Sequence, residues 1–410
     1  MRFIYIVFFI FTVNVYSNPL QDAIDRSTSY STIKLSSGIY NGNIHIDKPL
    51  NIIGIDDNVV IQGDLNGSVV TIRSDNVTLK NIIITNSGDK AYTIDSAISM
   101  KNSNNSTIEH CQLLNSLYGI DMFMSNNSII QDNYITSKNM PISLKGDALK
   151  IYYSNGNVFK NNTIKYSRDV TLNYSNDNIF KNNKFINNRF ASHISLSNNN
   201  KFISNKYMHN SVSIMLAGTK NTIITNNIIQ SSKGAAGIGV VILGVSNFNL
   251  INNKISFNSK AIYIDAKEKI KGMKRYIKYN EISYNKEAIH FHQTIKDNTI
   301  MYNKFFANID DVVKDKGSPF NRNNKIEYNY WDRYIGFDKN KDNIGDTSYK
   351  VYQYADQLWQ YNHKIKFFYA SPIMTLLNFI SKLAPFIKPN LIIEDKAPIF
   401  QLSSPFLLPH

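Results

Sequence analysis

Short apolar–polar alternations recur along most of this chain. Ile120-Asp121-Met122 and Ile194-Ser195-Leu196 show the two-residue period of a strand with one buried face. No amphipathic helical period interrupts them between about residue 60 and residue 330. A second pattern, Asn-x-(Ile/Phe)-x-x-Asn, frames the strands. It starts at Asn183, Asn205, Asn253, Asn280 and Asn303 and closes at Asn188, Asn210, Asn258, Asn285 and Asn308. Looser copies begin at Asn81, Asn133, Asn162 and Asn227, the last unit is Asn329-Tyr330-Trp331, and Cys111 stands in the same slot. Successive units lie about 21–30 residues apart, most often near 22, which is the repeat length of a stacked solenoid. Leucine-rich horseshoes need Leu at fixed slots that this chain does not show.

These patterns predict an all-β right-handed parallel β-helix, with about three short strands per coil and coils stacked at roughly 4.8 Å. Inward Ile, Val, Leu and Phe form apolar ladders. Asn suits the corners because it tolerates left-handed backbone and bonds locally. Open ends of such a stack need caps. Residues 18–40 read as a capping turn of helix and a first strand, the solenoid extends to 344, and 345–410 form a C-terminal cap and partner-docking tail.

Counting back about eleven residues from the repeated Asn aligns one sheet coil by coil. Its inward pairs are Ile98/Met100, Ile120/Met122, Leu149/Ile151, Val170/Leu172 and Ile214/Leu216. The outward slot between them holds Ser99, Asp121, Lys150, Thr171, His193, Met215, Val241, Tyr263 and His290 in succession. Met100 and Met122 are therefore core filler, and Met124 is ambiguous. His193 and Met215 share one outward ladder about 5 Å apart. Imidazole plus thioether favours copper, since soft sulfur selects Cu(I); two unrelated surface residues are the alternative. His290 and His292 form a second outward candidate pair, and Cys111 reads as a buried, inert thiol.

Composition changes the picture in three ways. The chain has 410 residues, 43% of them hydrophobic, so it can fold, and its 56 asparagines fit ordered repetition rather than disorder. One cysteine excludes a disulfide framework and Cys-rich metal sites. The net charge of +14 sits in the middle: residues 145–285 carry 20 basic and 6 acidic side chains, against 9 and 12 before them and 16 and 13 after. Within it, Lys267–Lys278 (KEKIKGMKRYIK) is a dense run, and Lys269, Lys271, Lys274 and Arg275 are candidate contacts for an acidic partner. Residues 1–17 read as a signal peptide, with a basic start, the apolar Phe3–Val13, and small residues before a cut ahead of Asn18. Export makes nucleic acid an unsuitable partner for the basic middle.

Two enzyme-like or metal-like features remain. Polysaccharide-cleaving β-helices need clustered carboxylates. Here Asp147 and Asp169 approach at a strand start, but Lys145, Lys150 and Arg168 neighbour them, which points to ion pairing. In 329–349, Asp338, Asn340, Asp342 and Asp346 open like a calcium loop, although Asn343 stands where Gly is usual and no Glu closes it; a structural turn is the alternative.

After Ser371-Pro372, Ile373, Leu376, Leu377, Ile380 and Leu383 follow at helical spacing until Pro385. This apolar helix is too short to span a bilayer and suits either capping or partner docking. The leader, the Asn-x-Ile coils, the NYWD…GFDKNKDNIGD turn and the ASPIMTLLNFISKLAPF tail together resemble the NosD family, over nearly the whole mature chain. The family's central Arg-Asp pair is matched by Arg168-Asp169, its arginine and histidine by Arg189 and His193, and its methionine one coil on by Met215. Where that family has a further methionine near the histidine, this chain has Ile194, Ser195 and Leu196. The resemblance implies a non-catalytic periplasmic accessory protein in maturation of the copper–sulfur centre of nitrous oxide reductase. It implies as partners an ABC transporter membrane subunit and its ATPase, a periplasmic copper chaperone and the reductase. A carbohydrate-binding or polysaccharide-cleaving β-helix is the rival class.

Overall fold

The structure, a computed structural model, describes residues 18–265, 274–292, 295–315, 323–353, 368, 371–383 and 390–402. It is a right-handed parallel β-solenoid. Three sheets of 13, 13 and 12 strands run its length, from Thr32–Leu35 to Lys325–Glu327, from Gly38–Asn41 to Tyr330–Trp331, and from Ile44–Ile46 to Asp310–Lys314. Each strand pairs in parallel with the same strand of the next coil, so a residue's neighbours are its equivalents one repeat away.

The alternating pattern places the core inside the coils. Phe159, Phe180 and Phe202 stack at 4.4 and 5.1 Å, and Phe185 stacks on Tyr207 at 4.8 Å. Met100 and Met122 are fully buried, as the alternation predicts, whereas Met124 is 45% exposed. Cys111 is buried, and burial pushes its thiol up to about 12, so it is inert at neutral pH.

Asparagine does two jobs, and they fall on adjacent residues. The left-handed corner is occupied by the residue before the repeated Asn: Asn161, Asn182, Asn226 and Asn252 all have φ between 54° and 58°. The repeated Asn itself turns inward. Asn205 Nδ2 donates to Phe180 O at 2.9 Å and to Asn227 Oδ1 at 3.1 Å, while its Oδ1 accepts from Asn183 N and Nδ2 at 2.9 and 3.0 Å. This ladder starts where Cys111 N donates to Asn133 Oδ1 and continues through Asn162, Asn183, Asn205, Asn227, Asn253, Asn280 and Asn303 to Asn329. It satisfies the backbone that the corner would otherwise orphan.

Both ends are closed. Helix α1 (Pro19–Arg26), capped by Asn18 accepting from Gln21 N at 3.2 Å, buries Leu20 and Ile24 over the first coil. At the other end, Tyr349–Gln353 pairs antiparallel with Asn390–Asp395. Tyr349 stacks on Trp331 at 5.0 Å, and Ile392 and Ile393 join the core. Asp395 terminates the Asn ladder, accepting from Asn329 N, Asn329 Nδ2 and Trp331 Nε1 at 3.1, 2.9 and 3.0 Å. Helix α2 (Pro372–Leu383) forms where the Ser-Pro start and Pro385 bracket it.

Candidate functional site

The third sheet presents the outward ladder expected from the alignment. Ser99, Asp121, Lys150 and Thr171 pair in succession, then His193, Met215, Val241, Tyr263 and His290. His193 and Met215 are direct cross-strand partners, both partly exposed. Two cross-strand residues of a parallel pair project side by side from neighbouring coils.

The surroundings of His193 keep it a donor. Burial lowers the imidazole pKa, the neighbouring Asp169 opposes this, and Arg189 adds to it, for a net fall below the usual value. At neutral pH the ring is therefore mainly uncharged, with one nitrogen unprotonated. Phe190 leans against it at 5.4 Å, and Ser195 Oγ lies 3.3 Å from Nε2. Arg189 in turn lies 4.9 Å over Phe190 and grips Asp169, through Nε at 2.9 Å and through Nη2. Phe190 N donates to the same carboxylate at 3.1 Å. Asp169 thus pairs across coils chiefly with Arg189, which the sequence alone does not single out as its partner; of the expected neighbours, Arg168 Nε stands 3.6 Å away and Lys150 pairs with Asp121 instead. Asp147 accepts from Thr171 Oγ1 at 2.8 Å, and burial, then the charge of Asp169, pushes its carboxyl up to about 6. Asp121 meets Lys150 at 3.7 Å.

The second histidine pair behaves differently. His290 is buried, not outward in solvent, because Tyr263 stacks on it at 5.1 Å and Asp315 covers it from the next coil. Its Nδ1 meets Glu287 Oε2 at 2.5 Å, and its Nε2 lies 3.1 Å from Asp315 Oδ2. Burial alone would lower its pKa, but the hydrogen bonds to Asp315 and Glu287 and the Glu287 charge outweigh it and raise it. His292 Nδ1 meets the same Asp315 oxygen at 3.0 Å. These imidazoles are committed to carboxylates and are poor soft-metal donors.

One other expectation is corrected. Arg275 is not a surface charge: it is 1% exposed, at the inward first position of Arg275–Lys278, where it pairs with buried Phe248. Its Nε points to Val245 O at 3.4 Å. Lys274 is exposed, while Lys269 and Lys271 lie outside the described residues. The acid-rich turn is held by its own hydrogen bonds. Asp338 accepts from Asn343 N at 2.9 Å, Asn340 Nδ2 donates to Asp342 Oδ2 at 2.9 Å, Asp342 accepts from Ile344 N at 2.8 Å, and Asp346 accepts from Lys339 N at 2.8 Å. Among the described residues no group of three acidic, histidine or cysteine side chains is placed to hold a metal ion, and the side chains of these four are engaged in the hydrogen bonds of the turn. On either side of His193 and Met215 the ladder places Thr171 and Val241, so a third soft donor would have to come from elsewhere.

Residues 141–336 match the sequence model of the NosD family, described as periplasmic copper-binding protein, and residues 20–167 match that of the right-handed β-helix region. The segment 141–336, just under half of the chain, is similar to the NosD family. It contains Arg168, Asp169, Arg189, His193 and Met215. A curated NosD relative from Stutzerimonas stutzeri, named a probable ABC transporter binding protein, is 31% identical over 81 residues, 20% of this chain and 18% of that protein. The chain therefore matches less than a fifth of that NosD's length. Among solved structures, an A-module of a mannuronan C-5 epimerase from Azotobacter vinelandii aligns with a TM-score of 0.60 at 14% identity, covering 75% of this chain and 92% of that one. The N-terminal fragment of bacteriophage Phi29 gene product 12 aligns with a TM-score of 0.52 at 13% identity, covering 72% and 66%. An enzyme and a phage protein share the solenoid, so these likenesses speak for the fold alone.

Proposed function

We propose that this protein is a periplasmic, non-catalytic scaffold that handles copper for assembly of the copper–sulfur centre of nitrous oxide reductase. It docks a copper chaperone and the reductase to an ABC transporter membrane subunit and its ATPase. The observation that carries the reading is the cross-strand pair of neutral His193 and Met215 on the outward face of the NosD segment. Copper is cargo here. Two soft donors suit Cu(I) and leave its coordination sphere open, so that a chaperone or acceptor can supply the next ligand during hand-over. Arg189 and Phe190 position the imidazole and shield one side of it.

The docking part rests on α2. Ile373, Leu376, Phe379 and Ile380 are 63, 56, 56 and 43% exposed, a patch of large apolar side chains on one short helix. Because Asn390–Asp395 closes the solenoid, deleting the tail would confound docking with folding. The double substitution Leu376→Glu with Ile380→Glu separates them. Co-purification of the transporter membrane subunit is expected to fall at least about tenfold while the thermal midpoint holds. Retention equal to the unmodified chain would remove the docking role from this helix. Release of reducing sugar or unsaturated uronate from polysaccharides would favour the carbohydrate-cleaving class instead. Against it, Asp169 is engaged by Arg189, which leaves Asp147 without a free second carboxylate beside it for acid–base work.

A further inference from the structure

The corner between the first and second sheets changes character along the rod. Up to Asn252 its left-handed position carries mainly small polar residues, Asn161, Asn182, Ser204, Asn226 and Asn252. The exposed amides link coil to coil, with Asn252 Nδ2 donating to Asn226 Oδ1 at 2.6 Å. From the next coil the same position is tyrosine three times, Tyr279, Tyr302 and Tyr328, each with φ of 58°. A bulky side chain is disfavoured in that conformation where Asn is at ease. The three rings stack face to face at 5.1 and 5.4 Å with interplanar angles of 4° and 8°. The aromatic stack therefore ends at Tyr279, with its outer face turned towards the coil of Asn252.

At that junction lies a cavity of about 240 Å³, lined by Asn252, Asn253, Lys254, Tyr279, Glu281, Tyr302 and Lys304. A cavity of about 150 Å³ holds benzene, so this one has room for a six-membered ring with substituents. Its polar groups are of both kinds. Lys254 Nζ pairs with Glu281 Oε1 at 2.9 Å, and Lys304 follows on the same outward ladder. Asn252 donates back to Asn226, and the next position of the amide series is taken by Tyr279.

We infer that this junction binds one pyranose ring of a glycan, stacked on the free face of Tyr279 with its hydroxyls between Lys254, Glu281, Lys304 and Asn252. A pyranose has a face of polarised C–H bonds that suits the negative face of an aromatic ring. Its hydroxyls both donate and accept, which a mixed lining of ammonium, carboxylate and amide serves on several sides at once. A tyrosine or tryptophan side chain of a protein partner would offer a single polar atom to that lining, so the sugar uses it more fully. The site is on a different face from His193 and Met215 and does not depend on their role.

Saturation-transfer NMR on the full chain tests the assignment, with methyl α-glucopyranoside and glucuronic acid as probes and N-acetyltyrosinamide as the aromatic comparator. Tyr279→Asn restores the residue that earlier coils use, so it keeps the corner and removes the platform. Saturation transfer to the ring C–H protons of at least one sugar is expected from the unmodified chain and from Tyr279→Phe. Affinity should fall about tenfold in Tyr279→Asn, the loss expected of one stacking surface, with the thermal midpoint unchanged or raised. Absence of transfer to both sugars, equal binding by Tyr279→Asn, or tighter binding of N-acetyltyrosinamide than of either sugar would overturn it. None of these outcomes bears on Cu(I) binding.

Discussion

Asn205→Ala is expected to lower the stability of the rod by about 4 kcal/mol, since it orphans several buried polar groups at once. Asn205 is fully buried and lies mid-ladder. Its removal leaves Asn183 N and Nδ2 without their acceptor and Phe180 O without its donor. Each such group costs about 1–3 kcal/mol when left unpaired away from water. Asn205→Asp should be no better, because a carboxylate cannot donate to Phe180 O or Asn227 Oδ1 and is itself costly to bury. The contrasting case is one residue from a ladder position: Asn226→Ala, at an exposed corner, loses mainly left-handed preference, about 1–2 kcal/mol. Guanidinium unfolding of the three variants distinguishes an inward ladder from a generic preference for asparagine. Equal losses at 205 and 226 would mean that the ladder contributes nothing beyond backbone conformation.

The second large effect is expected at Asp395. This residue is fully buried, 66 residues from Asn329 in sequence, and ends the same ladder. Asp395→Ala strips acceptors from Asn329 N, Asn329 Nδ2 and Trp331 Nε1, and should cost about 3–5 kcal/mol and free the Tyr349–Gln353/Asn390–Asp395 pairing. Burial raises the carboxyl pKa despite the hydrogen bonds from Trp331 and Asn329. The sign follows: the folded state binds this proton more tightly than the unfolded chain, so ionisation at neutral pH subtracts stability and acidification restores it. Asp395→Asn, which keeps an acceptor oxygen and never ionises, should therefore be far milder than Ala at pH 7. As pH falls the unmodified protein gains stability at this position that the Asn variant cannot, so a deficit of Asp395→Asn should widen. Hydrogen exchange across 323–353 and 390–402 reads the loss directly. Protection unchanged in Asp395→Ala would show that the hairpin packs without its ladder cap.

The repeat made most of this legible. Because the strands are parallel and in register, counting from one Asn slot fixes which residues stack, and the pairing of His193 with Met215 follows from spacing alone. The inward methionines, the inert Cys111 and both helices were readable for the same reason: each depends on local pattern. What escaped depends on contacts between distant segments or on position within a strand. Arg275 sits in a basic run that reads as loop, yet it opens a strand on the inward side. His290 occupies an outward slot but is covered by Tyr263 and by Asp315 of the following coil. Asp395 gives no local signal: the tail reads as a C-terminal cap, but nothing in it marks which residue ends the Asn ladder. The repeated Asn also read as the left-handed corner, whereas its predecessor takes that conformation.

The central claim is that His193 and Met215 together hold Cu(I). Competition titration of the full chain with a chromogenic Cu(I) chelator, at neutral pH under anaerobic conditions, tests it most directly. The account predicts one equivalent bound by the unmodified protein and an affinity at least about tenfold weaker in His193→Ala with Met215→Ala, while His290→Ala leaves it unchanged. Equal Cu(I) affinity in the unmodified protein and the His193/Met215 double variant would contradict it.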